Sequence, residues 1–133
     1  MRFDIPENCH IRWQAALAVL EDLQEDTKAP FGMYIYGAPN WENPKCGTVG
    51  CFAGWMAAAP YCYALGLTSA VWGEDWLLGY SCNPPKLFEQ IFAPHLMKKS
   101  RAKTLAFLKA RLKRIFKNST GKILIAPLTF YVD

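Results

Sequence analysis

From residue 46 to residue 73 the chain carries no charged side chain. A stretch this long has to leave water, either for a bilayer or for the middle of a globule. Pro60 divides it, and Gly66, Thr68 and Ser69 interrupt its second half, so a buried helical hairpin explains the composition better than a membrane span. In the first half Thr48 suits an N-cap. Gly50, Ala53, Gly54, Ala57 and Ala58 recur on one flat face, with Phe52, Trp55 and Met56 on the other. A helix that is apolar all round is a buried one. At 133 residues the chain holds one core and is short for two. The expectation is a mainly α (α+β) fold, a single compact helical domain over residues 1–133 around a buried central helix at about 48–59.

Periodicity supplies the other elements. Asn8 is the expected N-cap of a helix over about 9–25 whose apolar stripe is Trp13, Ala16, Leu17, Leu20 and Leu23. "YCYALGLTSAVWGEDWLLG" reads as one or two short helices with Gly66 as a C-cap, and Leu87, Phe88, Ile91 and Phe92 mark another. The clearest helix covers about 100–117. Leu105, Leu108, Leu112, Ile115 and Phe116 form its core stripe; Lys103, Lys109, Arg111, Lys113, Arg114 and Lys117 fill the opposite arc, and Gly121 ends it. Segments 31–36 and 122–132 are strand-like and are expected to form a minor β element.

Charge is divided along the chain. Residues 1–97 hold five basic groups against ten acidic ones, whereas residues 98–133 hold ten basic groups against Asp133 alone. Such a split predicts a cationic surface that meets an anionic partner. Because residues 98–132 contain no acid, the basic helix lacks the internal Glu–Lys pairs of an ordinary solvated face. Phe107 falls among Lys103, Arg111 and Arg114 by helical spacing, and an aromatic amid cations suits nucleic acid or an acidic protein surface. The expected partner-binding residues are Lys103, Phe107, Arg111, Arg114 and Lys117. No helix-turn-helix, zinc-finger or RRM motif accompanies them, so sequence-specific readout is not indicated.

"CGTVGCFAGW", residues 46–55, admits several chemistries. The backbone N–H groups at its start make Gly47, Thr48, Gly50 and Cys51 candidates for a small phosphorylated ligand. Neither G-x-x-x-x-G-K-[ST] nor G-x-G-x-x-G is present, and glycines that merely allow close packing are the alternative. Cys51 in a first helical turn is also a candidate nucleophile for a cysteine-dependent enzyme, with His10 or His95 as the available base. The competing reading is a small apolar residue in a buried helix. One C-x₄-C pair with scattered Cys9, His10, Cys62, Cys82 and His95 lacks zinc-site spacing. Neither a metal nor a cofactor is expected. Five cysteines, an odd number, and an opening "MRFDIPENCH" without an apolar signal segment lead to the expectation of a reduced, cytoplasmic protein.

The succession "FGMYIYG", "CGTVGCFAGWMAAA", "ALGLTSAVWG" and "LFEQIF" resembles an uncharacterised family of small proteins encoded in phage and bacterial genomes. Its C-G-T-x-x-C-x-A-G-W pattern is met at Cys46, Gly47, Thr48, Cys51, Ala53, Gly54 and Trp55; residues 98–133 lie outside it. The resemblance implies a small, intracellular, mainly helical protein of phage or mobile-element type and transfers no catalytic residue. It also implies action on host machinery, including inhibition of a defence system, as an anti-CRISPR does. Residues and resemblance together favour a non-enzymatic binding protein that engages nucleic acid or an acidic host protein.

Overall fold

The computed structural model describes residues 2–28, 31–32, 51–69, 73–82 and 86–127. The chain forms α1 (His10–Glu25), α2 (Phe52–Ala58), α3 (Pro60–Ala64), α4 (Gly73–Leu78), α5 (Lys86–Ile91) and α6 (Arg101–Thr120), with 3-10 turns over Glu7–Cys9 and Pro94–Leu96. The fold is mainly α, and no β-strand occurs among the described residues.

The element on which the others converge is α1, not the expected helix at 48–59. It packs against α2, α3, α4 and α6, most extensively against α6. The expected stripe Trp13, Ala16, Leu17, Leu20 and Leu23 is buried, and so are Ala15, Ala18 and Val19. Small alanines on its flanks let neighbours approach from several sides, so burial exceeds the single stripe of an amphipathic helix. By contrast α2 is seven residues long and begins after Cys51, whose extended backbone forms the N-cap. Residues 48–50, with the expected Thr48 cap, lie outside the described residues. Phe52, Ala53, Gly54 and Met56 of α2 are buried, while Ala58 is exposed.

Helix ends account for the remaining differences. Asn8 does not cap α1: the chain enters through the first 3-10 turn, and Cys9 takes the cap position without a side-chain bond. At the end of α3, Gly66 adopts φ +101°; its N–H donates to the Tyr63 carbonyl at 2.9 Å and that of Leu67 to the Cys62 carbonyl at 3.0 Å. This paired arrangement closes a helix through a left-handed glycine, as the sequence predicts. Ser100 caps α6 by accepting from the Lys103 N–H, and α6 runs to Thr120 before left-handed Gly121 stops it. Beyond it Leu124 is buried while Ile123 and Ile125 are exposed. That alternation is strand-like, but residues 122–127 pair with no strand, so the expected β element is absent there. Residues 33–36 and 128–132 of the same expectation lie outside the described residues.

Carbonyl groups at helix C-termini have no partner within their own helix. Here side chains from other elements reach them. Trp13 Nε1 donates to the Leu77 carbonyl at 2.8 Å and Arg12 Nη1 to that of Trp76 at 2.7 Å, closing α4. Trp76 Nε1 donates to the Leu65 carbonyl at 3.0 Å just past α3. Arg101 Nη2 donates to the Leu23 and Asp26 carbonyls at 2.6 and 2.7 Å at the end of α1. A donor end is met likewise: buried Glu74 accepts from the Phe88 N–H at 2.6 Å in the first turn of α5.

Replacing Trp13 with Phe removes the donor to Leu77 and part of a fully buried ring. Urea denaturation should show a loss of about 1–3 kcal/mol, the penalty of an orphaned buried acceptor; a loss below about 0.5 kcal/mol would contradict the capping role. Burial raises the Glu74 carboxyl above its ordinary 4.5, with the Phe88 and Leu87 N–H groups opposing. The folded protein therefore holds that proton more tightly than the unfolded one, and the stability contributed by this group falls as pH climbs from about 4.5 through the raised value. Thermal midpoints of wild type and Glu74→Gln followed across that window should show the decline in wild type and a shallower one in the variant.

Candidate anionic-partner interface on the last helix

With twenty residues, α6 is about 30 Å long at 1.5 Å per residue. Its inner face (Thr104, Leu105, Leu108, Leu112, Ile115 and Phe116) is buried. All five apolar members of that face were expected core residues. Thr104 is buried because its hydroxyl is satisfied, donating to the Ser100 carbonyl and accepting from the Lys98 N–H, both at 2.9 Å.

The basic groups divide into two sets. Three are engaged with the fold. Arg101 caps α1, Lys109 lies 3.3 Å from Glu21 and donates to Gln24 Oε1 at 3.2 Å, and Arg111 donates to Gln90 Oε1 at 2.7 Å. The second set, Lys103, Lys113, Arg114 and Lys117, is exposed and makes no ion pair among the described residues. Between the sets sits Phe107, half-buried, with Lys98 Nζ 4.1 Å and Arg111 Cζ 4.8 Å from its ring centre. These are cation–π distances. Burial, aided by the Arg114 charge, lowers the Arg111 guanidinium below its ordinary range.

Of the five expected partner-binding residues, Lys103, Arg114 and Lys117 therefore share an exposed face. Phe107 and Arg111 sit at its edge and also serve packing. Lys98 is a member that helical spacing alone could not reveal, since it precedes the helix and reaches Phe107 only through the turn at Ser100.

The expected ligand-binding residues Gly47, Thr48 and Gly50 lie outside the described residues. Cys51 is half-buried, and burial pushes its thiol up, against the opposing pull of the Gly54 and Ala53 N–H groups. A nucleophile needs the opposite shift. No hydrogen bond joins Cys51 to a histidine: His10 packs edge-on against Phe116 with ring centres 5.0 Å apart, and His95 Nδ1 lies 3.8 Å from Glu89 Oε2 at the surface. Cys9, Cys51, Cys62 and Cys82 are free thiols, and burial takes Cys62 up to about 12. Among the described residues no three His, Cys, Asp or Glu side chains gather as a metal site, and no helix is long and apolar enough to cross a membrane.

One cleft was not foreseen. Asp22, Trp55, Pro60 and Tyr61 help line a space of about 230 Å³ between α1, α2 and α3. Tyr61 donates to Asp22 Oδ2 at 2.8 Å, and burial, with Glu25 and Glu21 nearby, raises the Asp22 carboxyl. The pair joins residues 39 positions apart, so no local pattern announces it. Comparison of the chain with protein-family models, with curated proteins and with solved structures finds no match.

Cys51 should alkylate with iodoacetamide at neutral pH more slowly in the folded protein than in urea, as peptide mapping by mass spectrometry can establish. Faster modification in the folded state would reinstate an activated thiolate.

Proposed function

We propose that the protein is a non-enzymatic binding protein that meets an anionic macromolecule with the outer face of α6. The observation that carries this reading is the exposed set Lys103, Lys113, Arg114 and Lys117, with which no described residue makes an ion pair. A passive solvated helix usually intersperses both signs. The fold uses Arg101 and Lys109 for its own contacts while leaving this set uncommitted. The likeness of residues 46–55 to small phage and bacterial proteins supports a host-cell partner, and with it a role as an accessory or defence-inhibiting factor.

The test is charge reversal at three exposed positions, Lys103→Glu, Arg114→Glu and Lys117→Glu together. Exposed substitutions of this kind shift stability by only about 0.5 kcal/mol each, so the variant should keep its circular dichroism spectrum. Nucleic acids and acidic proteins retained by wild type from host lysate should be lost. An unchanged set of retained molecules on a folded variant rejects the reading.

A further inference from the structure

We propose that the outer face of α6 is shaped for the major groove of double-stranded DNA, held chiefly through phosphates; this rests on the reading that α6 meets an anionic macromolecule. Residues four apart form a row along a helix. Ala102, Ala106, Ala110, Arg114 and Asn118 make up one such row, and every member is exposed. On one side lies the row Lys103, Phe107 and Arg111, on the other the row Lys109, Lys113 and Lys117. The middle of the face is bare methyl groups for its first three members, while long cationic arms stand on both sides.

That cross-section matches one kind of polyanion. The B-DNA major groove is about 12 Å wide, admits an α-helix, and has a phosphate strand along each lip. Alanines let the helix axis sink toward the groove floor, and the flanking lysines then reach the two strands. Lys103 and Lys117 are separated by about 21 Å along the axis, fourteen residues at 1.5 Å each. Lys98, drawn over Phe107, adds to the first wall. The second wall rests on Lys113 and Lys117, because Lys109 is tied to Glu21. Glu21 and Glu25 border the same cleft as Lys113, and their charge keeps the duplex from spreading past this row onto α1.

Other polyanions fit less well. A single strand offers one line of phosphates and gains affinity from bases stacked on aromatic rings, but the Phe107 ring already carries Lys98 and Arg111. The A-form major groove of duplex RNA is too narrow for side chains to read. Protein interfaces favour large aromatic or Met anchors and deplete Lys, whereas this face offers alanine and lysine. Arg114 and Asn118 are the members of the central row able to reach base edges, so sequence preference should be slight.

The experiment is fluorescence anisotropy with a labelled mixed-sequence DNA duplex of about 20 base pairs, its single strand, the matching RNA duplex and labelled polyglutamate, at about 50 to 200 mM salt. Wild type should bind the DNA duplex at least about ten-fold tighter than the single strand or the RNA. With five exposed cations (Lys98, Lys103, Lys113, Arg114 and Lys117) engaged, log K against log salt should slope at about −4 to −5, a loss of roughly 10²–10³ in affinity across that range. Ala106→Leu with Ala110→Leu keeps every charge and the helix propensity but raises the floor, and should weaken duplex binding at least about ten-fold. Equal binding of single strand and duplex, or indifference to the leucines, overturns the groove proposal. Binding of polyglutamate without binding of DNA overturns it too, yet leaves the wider reading of α6 standing. If no polyanion binds, both fall.

Discussion

Short helices packed into an apolar core create a specific problem, the carbonyls of their last turns. With five and six residues, α3 and α4 are well below the length at which a helix persists alone. Their persistence depends on tertiary contacts, and an unmet carbonyl under those contacts would cost about as much as a lost hydrogen bond. Trp13, Arg12 and Trp76 meet that demand while contributing buried or cation–π surface: Trp13 is fully buried, and Arg12 lies 5.9 Å over the Trp76 ring. Packing and polar satisfaction come from the same side chains. The α1–α4–α3 junction is therefore a linked unit, in which α1 closes α4 and α4 closes the end of α3.

The same rule connects the core to the basic helix. Arg101 sits in the first turn of α6 and closes α1, the helix against which α6 packs most extensively. Lys109, two turns later on the side facing α1, bonds Glu21 and Gln24. These contacts fix the rotation of α6 about its axis, and that rotation decides which residues face water. A turn of the helix by one residue would bury part of the Lys103–Arg114–Lys117 set and expose core leucines. The cations that hold α6 in place are thus separate from those it displays, and the displayed set can change without unlocking the helix.

Local periodicity was enough to read α1 and α6, the stripe in each and the cationic arc, because each is a long segment whose large apolar side chains recur at helical spacing. Gly66 and Gly121 were legible for another reason, since a left-handed residue that closes a helix is usually glycine. What stayed hidden involves partners distant in the chain. The Phe88 N–H is met by Glu74, and Asp22 meets Tyr61. The central place of α1 likewise reflects the number of elements that surround it, which its own pattern cannot state. Charge-free residues 46–73 pointed to burial correctly for Phe52, Met56 and Cys62, but absence of charge does not rank buried helices by centrality. The 122–127 segment shows a limit of alternation: Leu124 turns inward and its neighbours outward, yet a sheet also needs a second strand to pair with. For the candidate site, the row of cations was legible, while the division between anchoring and displayed members required the positions of Glu21, Gln90 and the α1 carbonyls.

A cationic face with no acid in its own helix carries an energetic consequence. Lys109 and Lys113, Lys113 and Lys117, and Arg111 and Arg114 are like-charged neighbours at four- or three-residue spacing, each disfavouring the helix by about 0.2–0.5 kcal/mol in isolation. Packing of the apolar face outweighs this, since five large side chains of α6 are buried. The repulsion still lies in the free protein and is relieved by whatever brings negative charge to the face. Mobile ions relieve it weakly and everywhere, within a Debye length of about 8 Å at physiological salt. A polyanion relieves it at the displayed set and releases its own counterions as it does so. The sequence feature that weakens α6 as an isolated helix, a run of cations with no acid among them, is therefore the one that strengthens it in a complex.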